Sequence, residues 1–218
     1  MEAIRKRAGP LHGVLFLALL GLTAAGAWPR IWPLYLLLPL LIYAGIVSIL
    51  PPLRRTAPQL ALGRMTGVPL VIACVLSVAT VLALIAFHML AHPDVSDLTT
   101  KLPVSSLGSL ILVGVCFSAL NAALEELIFR GVLWEVVAAE SNADVALIVT
   151  AGLFGLFHLH GYPPGPLGAV LAGLFGLALG LLRRCTGGLG LAIACHVCAD
   201  ATIFGLLLWS GAFGNKAP

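Results

Sequence analysis

Charged residues are scarce in this sequence. Only 10% of the 218 residues are charged and 60% are hydrophobic, and the mean hydropathy is +1.07. A soluble domain usually carries about 25% charged residues, so the composition excludes an ordinary soluble domain and indicates an integral membrane protein. The net charge of +3 is small and gives no reason to expect a nucleic-acid partner.

Alternation of apolar and polar residues is also missing. The spans of a membrane β-barrel would alternate over about ten residues, whereas the apolar residues here come in long runs. A helix of about 20 residues crosses a hydrocarbon core of about 30 Å. We therefore predict an all-α, polytopic transmembrane helical bundle with about seven spans. Their predicted ranges are 11–27, 32–50, 68–90, 104–139, 144–160, 166–182 and 189–209.

Cysteine is sparse, and its placement does not suggest disulfides. The five cysteines, Cys74, Cys116, Cys185, Cys195 and Cys198, all lie in or beside apolar runs. An odd number of cysteines within hydrocarbon is poor material for a disulfide framework. Cys195 and Cys198 form a C-x-x-C pattern around His196, which is typical of some metal and redox sites. We favour the interpretation that they are small apolar packing residues.

The basic residues predict how the spans are oriented. If the N-terminus is cytoplasmic, most basic residues fall on cytoplasmic segments: Arg5, Lys6, Arg7, Arg54, Arg55, Arg64, Arg183 and Arg184. The opposite side then keeps only Arg30, Lys101 and Lys216. Because cytoplasmic loops carry an excess of Lys and Arg, we predict a cytoplasmic N-terminus. The basic start and short first run also fit a cleavable signal peptide, whose loss would leave the other spans unchanged.

Ionisable groups within the predicted spans are concentrated in the last four. We therefore assign residues 1–103 to an N-terminal scaffold of three spans, 104–211 to the catalytic helices, and 212–218 to a short tail. A charge at the bilayer centre costs about 2.5–3.5 kcal/mol on insertion scales. Intramembrane charges are therefore candidates for function unless they satisfy one another.

The fourth span contains two adjacent acids and an arginine. Glu126 and Arg130 are four residues apart on one helix face, and we predict a two-pronged contact between them that supports the site. Glu125 points away, on the side of Asn121, which we also place among the supporting residues. Without a basic partner in its own helix, Glu125 is a candidate general base near neutral pH. The alternative is that the three charges form one structural ion cluster.

The fifth and seventh spans carry histidines. Glu125 and His158 are 33 residues apart, with the predicted turn midway, so they should reach a similar depth on neighbouring helices. His160 faces elsewhere and is predicted to be interfacial. His196 and Asp200 lie one turn apart, a spacing that could also be an internal hydrogen bond. The predicted ranges put His158 about two helical turns nearer the outer surface than His196, which is a difficulty for a compact site.

Three motifs in this order are specific in combination. They are Glu125-Glu126-x-x-x-Arg130, Phe154-x-x-x-His158 and His196-x-x-x-Asp200. The chain in this respect resembles the CPBP family, a group of CAAX endopeptidases and bacteriocin-processing or bacteriocin-immunity (Abi-like) membrane proteins. The resemblance covers roughly residues 104–211 and implies an intramembrane CAAX-type endopeptidase.

The resemblance also implies roles for individual residues. Glu125 would activate a water molecule with His158 beside it, and His196 and residue 200 would stabilise the tetrahedral oxyanion. Asp200 departs from the more familiar asparagine and can donate a hydrogen bond only when protonated. Family members have been described both as metalloproteases and as metal-independent glutamate-type proteases. We expect no cofactor, because H-E-x-x-H is absent; zinc, if it binds, would be held by His158, His196 and Glu125.

The resemblance implies a substrate that is itself in the bilayer. We expect a membrane-anchored protein or peptide cleaved near its C-terminus, as in CAAX-type or C-terminal sorting-signal processing. The chain is short and shows no eukaryotic sorting signal, so we expect a prokaryotic cytoplasmic (inner) membrane. Two alternatives are a non-catalytic bacteriocin-immunity or scaffold protein and a proton-coupled transporter, since buried Glu and His also form proton relays. The lack of an internal repeat argues against the transporter.

Overall fold

The structure is a computed structural model in which residues 2–29, 31–58, 60–99 and 106–213 are described. Within these ranges it contains helices and turns and no β-strand, which confirms the all-α prediction. The helices are α1 (Glu2–Ala24), α2 (Leu34–Ile49), α3 (Pro51–Arg54), α4 (Val68–Ala91), α5 (Ser96–Thr99), α6 (Leu107–Glu126), α7 (Trp134–Glu140), α8 (Ala143–Phe157), α9 (Gly165–Thr186) and α10 (Gly190–Phe213). A π-helical segment, Leu127–Leu133, joins α6 to α7. Arg30, Lys101, Lys216 and residues 214–218 of the predicted tail lie outside the described residues.

The apolar helices fall into two length classes. Four stretches are long and apolar enough to cross a membrane: Val68–Ala91, Gly108–Glu140, Gly165–Thr186 and Gly190–Gly211. Three apolar helices are shorter: Pro10–Ala24, Leu34–Ile49 and Ala143–Phe157. Each predicted span therefore corresponds to a helix, and a helical membrane bundle is confirmed. The three short helices do not have the full length that the prediction assumed for every span.

Helix α4 illustrates why the surface belongs in lipid. Its exposed side chains are large and apolar, with Val71 62%, Leu82 62% and Leu90 82% exposed. Soluble monomers rarely expose contiguous apolar patches larger than a few hundred Å². Lipid tails cover such a helix face at no cost, so the chain is an integral membrane protein.

Helices α8 and α9 approach closely because both carry small residues at their contact. A Cβ atom built on Gly155 would lie 2.6 Å from the carbonyl oxygen of Ala169 and 3.1 Å from the Cα atom of Gly173. Small residues at such points let helix backbones pack directly against each other in membranes. This packing fixes α8, and with it the turn that follows, against α9.

Helix α6 begins later than predicted. The expected start near residue 104 is wrong for the helix itself, which begins at Leu107. Ser106 has an extended backbone and its side chain accepts a hydrogen bond from the Ser109 backbone N–H at 3.2 Å, while Ser109 Oγ accepts from Ser106 N–H at 3.0 Å. This reciprocal pair satisfies two of the free N–H groups at the helix start.

Helix α8 is shorter than the predicted 144–160. Its N-terminus is capped by Asn142, whose side-chain oxygen accepts from the N–H groups of Asp144 and Val145 at 2.9 Å. It ends at Phe157, and His158 occupies the C-cap position with non-helical backbone angles. Fifteen residues at about 1.5 Å each span roughly 22 Å, which is less than the hydrocarbon core of about 30 Å.

The connection before α4 packs against the turn between α9 and α10. The N–H group of Leu189 donates to the carbonyl of Ala61 at 2.9 Å, and that of Arg64 donates to the carbonyl of Thr186 at 2.9 Å. Arg64 and Arg183 therefore belong to the same end of the bundle, as the charge distribution predicted. Which end faces the cytoplasm stays a prediction, as does the division into scaffold and catalytic parts.

Helix α1 contains a buried histidine that the sequence interpretation overlooked. His12 is only 3% exposed. Its Nδ1 atom lies 2.7 Å from Tyr43 Oη and its Nε2 atom 3.1 Å from Thr56 Oγ1. The histidine thus joins α1, α2 and the end of α3, and it has both ring nitrogens hydrogen-bonded away from the candidate site.

Candidate active site

Glu125 lies at the centre of the candidate site. Its Oε2 atom is 3.8 Å from His158 Nε2 and 3.7 Å from His196 Nε2. That oxygen is buried and has no hydrogen-bond partner among the described residues. The depth difference predicted between the two histidines is therefore wrong. Helix α8 has only 15 residues and ends at Phe157, so the predicted full-length span 144–160, which put His158 near the outer surface, does not apply.

The ring orientation of His158 is set by its own helix. His158 Nδ1 lies 2.8 Å from the carbonyl oxygen of Phe154. Because a carbonyl can only accept, Nδ1 carries the proton, and in the neutral ring Nε2 is left as an acceptor facing Glu125. The Phe154 ring lies beside the imidazole, with 4.3 Å between the ring centroids. The F-x-x-x-H motif thus fixes both the tautomer and the direction of the ring.

His196 is held on both sides by aromatic rings and at one nitrogen by an acid. Its Nδ1 atom lies 2.8 Å from Glu126 Oε1, and its Nε2 atom is 3.7 Å from Asp200 Oδ1. Phe154 and Phe175 each lie edge-on to the imidazole at a centroid distance of 5.6 Å. An ionised carboxylate only accepts, so Nδ1 donates to Glu126 and Nε2 faces the centre of the site.

Glu126 and Arg130 form an ion pair that is fully buried. Arg130 Nη1 donates to Glu126 Oε1 at 2.9 Å, and neither side chain is exposed. The predicted two-pronged contact is wrong: Arg130 Nε and Nη2 and Glu126 Oε2 have no hydrogen-bond partner among the described residues. The guanidinium instead lies over the Phe154 ring, 4.3 Å from its centroid, where the ring's quadrupole attracts the cation.

A π-helical segment follows Glu126 and contains Arg130. It begins at Leu127, directly after Glu126, and residues Ile128 to Leu133 are all buried. In a π turn the hydrogen bonds run from residue i to i+5, one residue further than in an α-helix. Such π turns occur frequently at functional sites. No composition or spacing signal in the sequence predicted it.

Asn121 joins the two acids that come from different helices. Its Nδ2 atom lies 3.2 Å from Glu125 Oε1 and 3.1 Å from Asp200 Oδ2. Each amide hydrogen can therefore go to one carboxyl group, one on α6 and one on α10. Asp200, which was the least secure site residue from sequence, is 6% exposed and lies within this group.

A largely apolar cavity of about 330 Å³ adjoins the site. Its polar lining includes His158, His196 and Asp200, and small or apolar side chains of α4, α9 and α10 form most of the rest. Leu174, on its α9 wall, is 58% exposed, so the cavity reaches the lipid-facing surface. Ligand pockets typically start at about 300 Å³, which makes this space large enough for a side chain and part of a peptide.

Tyr162 is a cavity residue that the sequence interpretation missed. Its Oη atom lies 2.8 Å from His88 Nδ1, and His88 Nε2 is 3.0 Å from Ser210 Oγ. This chain of contacts ties α4 and α10 to the turn that follows His158. Because the three residues are far apart in sequence, no local spacing could have indicated their meeting.

Other histidines and cysteines lie away from the centre. His160 is exposed. Cys195 is buried, with Sγ 3.4 Å from the carbonyl oxygen of Ala73, whereas Cys198 is exposed on the same helix. The C-x-x-C pair therefore does not converge on one point, and the packing interpretation accounts for the placement of Cys195.

The site residues are spaced more widely than ligands on one zinc ion. Two ligands on one tetrahedral zinc, with bonds of about 2.0–2.1 Å, lie about 3.3 Å apart. The distances from Glu125 Oε2 to the two histidines, 3.8 and 3.7 Å, are longer. In the part of the chain that the structure describes, no group of three or more His, Cys, Asp or Glu is placed to hold a metal ion.

The helices that carry the site match a family model. Residues 107–202 match the family model described as type II CAAX prenyl endopeptidase Rce1-like. Searches of curated proteins and of solved structures gave no significant match. The matched segment contains every candidate residue of the site and agrees with the resemblance drawn from the three motifs. The helices that carry the site are therefore similar to the Rce1-like CAAX endopeptidases, and this similarity supports an intramembrane endopeptidase that acts on a membrane-anchored protein.

Proposed function

We propose that the chain is a glutamate-type intramembrane endopeptidase that hydrolyses a peptide bond near the C-terminus of a membrane-anchored protein or peptide. One observation carries the proposal: the buried Glu125 Oε2 atom has no hydrogen-bond partner among the described residues and faces the Nε2 atoms of His158 and His196. Distances of 3.8 and 3.7 Å exceed a direct hydrogen bond of about 2.7–3.2 Å. They suit a water molecule held between these groups.

Glu125 serves as the general base in this mechanism. It takes a proton from the water, whose oxygen attacks the carbonyl carbon of the scissile bond. His158 Nε2, unprotonated in the tautomer set by the Phe154 carbonyl, accepts a hydrogen bond from the same water and positions it. The C–N bond breaks as the leaving nitrogen receives the proton from Glu125. General acid–base catalysis of this kind contributes about 10²–10⁴-fold.

His196 and Asp200 are proposed to stabilise the oxyanion. His196 donates from Nε2 when both ring nitrogens are protonated, and the carboxyl groups of Glu125, Glu126 and Asp200 around it supply the counter-charge. Asp200 donates only in its protonated form. Removing one oxyanion donor typically costs about 10²–10³ in kcat.

The apolar cavity supports a substrate that enters from the bilayer. Its wall reaches the exposed Leu174, while His158 and His196 lie among its lining residues. An apolar stretch of a membrane-anchored chain can therefore occupy the cavity with its peptide bond beside His158 and His196, whose Nε2 atoms face Glu125. A soluble, charged peptide would have to give up its hydration to do the same, which costs several kcal/mol per charged group.

The proposed location is a prokaryotic cytoplasmic membrane with the N-terminus in the cytoplasm. The argument is the distribution of basic residues, supported by the packing of the segment around Arg64 against the turn after Arg183. Epitope tags at the two ends, tested for protease protection in sealed vesicles, check it. A protected C-terminal tag in right-side-out vesicles would contradict this orientation.

The test of the activity uses purified protein in liposomes with a single-span protein that carries a C-terminal epitope tag. Glu125→Gln and His158→Gln should each lower the rate of tag release by at least about 100-fold. Glu140→Gln is the matched control, because Glu140 is exposed at the end of α7. Wild-type cleavage by Glu125→Gln would contradict the proposal.

The alternative functions give different results in the same variants. A bacteriocin-immunity or scaffold protein would keep its protective effect in cells after both substitutions, provided that the variants insert. A proton-coupled transporter would show pH-dependent flux across vesicles that Glu125→Gln abolishes, with no cleavage by the wild type.

A further inference from the structure

Trp32 reaches the site from outside the segment that matches the family. It precedes α2, and its indole Nε1 atom donates a hydrogen bond to Asn121 Oδ1 at 3.0 Å across 89 residues of sequence. The indole ring also lies 5.0 Å, between centroids, from the ring of Phe117 on α6. A contact between aromatic rings and a hydrogen bond therefore both hold Trp32 against α6, the helix that carries Glu125.

This hydrogen bond determines which way the Asn121 amide faces. An indole N–H can only donate, so the amide oxygen must point to Trp32. The amide nitrogen then faces Glu125 Oε1 at 3.2 Å and Asp200 Oδ2 at 3.1 Å. The reversed amide would set N–H against N–H and oxygen against two carboxyl groups. Trp32 is thus the group that makes the productive orientation the stable one.

We propose that Trp32 is a positioning residue of the active site, acting through Asn121. In this orientation the Asn121 amide nitrogen donates to Glu125 Oε1 and to Asp200 Oδ2. Glu125 Oε2 is then the oxygen that faces His158 and His196. This inference rests on the proposed function of Glu125. It adds a residue of the N-terminal region, outside residues 107–202, to the machinery of the site.

Trp28 offers a matched control in the same connection. It is half-buried against the core between α1 and α2, but its indole nitrogen has no hydrogen-bond partner among the described residues. Replacing either tryptophan by phenylalanine keeps an aromatic ring and removes one N–H group. Of the two indole N–H groups, only that of Trp32 orients another residue.

The first experiment compares the two substitutions in liposomes with the tagged single-span substrate. Trp32→Phe should lower kcat about five- to tenfold, the effect of one lost hydrogen bond, with KM unchanged. Trp28→Phe should leave both parameters at the wild-type values. If Trp32 acts through Asn121, the double variant Trp32→Phe/Asn121→Ala should be no slower than Asn121→Ala alone. Additive losses would overturn the inference.

The failure of the inference and that of the proposed function are distinguishable. Cleavage by Glu125→Gln would remove the proposed function. An inactive Glu125→Gln together with equal activities of Trp32→Phe and Trp28→Phe would remove only the role of Trp32.

A second measurement needs no substrate. In protein labelled with ¹⁵N-tryptophan, the four indole N–H signals are assigned by single Trp→Phe substitutions. Asn121→Ala should shift the Trp32 signal upfield, as expected for a lost hydrogen bond, and leave the Trp28 signal in place. An unchanged Trp32 signal would overturn the inference.

Discussion

His196 Nδ1 lies 2.8 Å from Glu126 Oε1. The same oxygen accepts the hydrogen bond from Arg130 Nη1 at 2.9 Å. The acid that the sequence pairs with Arg130 is therefore also the group that orients the histidine of α10. A carboxylate that accepts from one ring nitrogen of a histidine fixes the tautomer of the ring and the direction of the other nitrogen. Glu126 therefore has two partners: Arg130, whose charge it balances, and His196, whose ring it orients.

The two partners of Glu126 can be separated by substitution. Glu126→Leu leaves Arg130 buried without its counter-charge and should destabilise the protein by about 3–5 kcal/mol. Glu126→Leu/Arg130→Leu removes both charges, which is often neutral or stabilising, and should recover the thermal stability in detergent. Cleavage by the double variant should stay roughly 10–100-fold low, the loss typical when the group orienting a functional histidine is removed.

The control is a second ion pair at the end of the bundle. Arg183 Nη2 lies 2.5 Å from Glu135 Oε1, away from Glu125. Glu135→Leu/Arg183→Leu should keep the wild-type rate per folded molecule. Wild-type cleavage by the Glu126→Leu/Arg130→Leu variant would show that His196 needs no orienting acid.

Asp200 tests which group faces the oxyanion. In Asp200→Asn the side-chain oxygen can still accept from Asn121, whose Nδ2 atom lies 3.1 Å from Asp200 Oδ2. The new amide nitrogen then takes the place of Oδ1, 3.7 Å from His196 Nε2, and is a permanent donor. We expect cleavage at least equal to that of the wild type. Asp200→Leu keeps a similar volume without a donor and should lose about 10²–10³ in kcat. Equal, unimpaired rates in both variants would remove residue 200 from the mechanism.

The sequence predicted the meeting of Glu125 and His158 because two general constraints determine it. Charge is costly within hydrocarbon, so ionisable groups gather, and a hairpin of two helices brings residues equidistant from its turn to one depth. The structure has 3.8 Å between Glu125 Oε2 and His158 Nε2. The predicted span ranges, in contrast, put His158 and His196 at different depths, because they treated α8 as a full-length span, whereas it has 15 residues.

Two further features could not be predicted, for a physical reason that they share. The π turn after Glu126 and the contact from Trp32 to Asn121 both depend on how distant helices pack. A π turn leaves no periodicity in seven residues, and a tryptophan in an apolar connection looks like any interfacial aromatic. Local sequence patterns identify the polar groups that need a hydrogen-bond or charged partner. Tertiary packing decides which residue that partner is.

Gly155 and Gly152 give opposite predictions for the same substitution on one helix. The Cβ atom of Gly155→Ala would lie 2.6 Å from the backbone oxygen of Ala169 on α9, whereas a Cβ atom on Gly152 meets nothing within 4 Å. Gly155→Ala must push α8 and α9 apart and should lower the melting temperature. Gly152→Ala should leave it unchanged or raise it, since alanine favours the helix by up to about 1 kcal/mol.

The result matters for the site as well as for stability. Because His158 caps α8, a shift of that helix moves the imidazole relative to Glu125. Gly155→Ala should therefore lose cleavage even at temperatures where it remains folded, and Gly152→Ala should not. Equal melting temperatures and rates in the two variants would contradict the close packing of α8 on α9.

Metal removal separates the two mechanisms that share these residues. Glu125, His158 and His196 would be the ligands of a zinc ion and are also the groups of the glutamate-type mechanism, so substituting them inactivates either kind of enzyme. Dialysis against a chelator acts on one mechanism alone. We expect unchanged tag release after dialysis, because in the proposed mechanism Glu125 itself takes the proton from the water. Loss of cleavage that added zinc restores would instead assign the water's activation to the metal, with Glu125 as a ligand rather than the base.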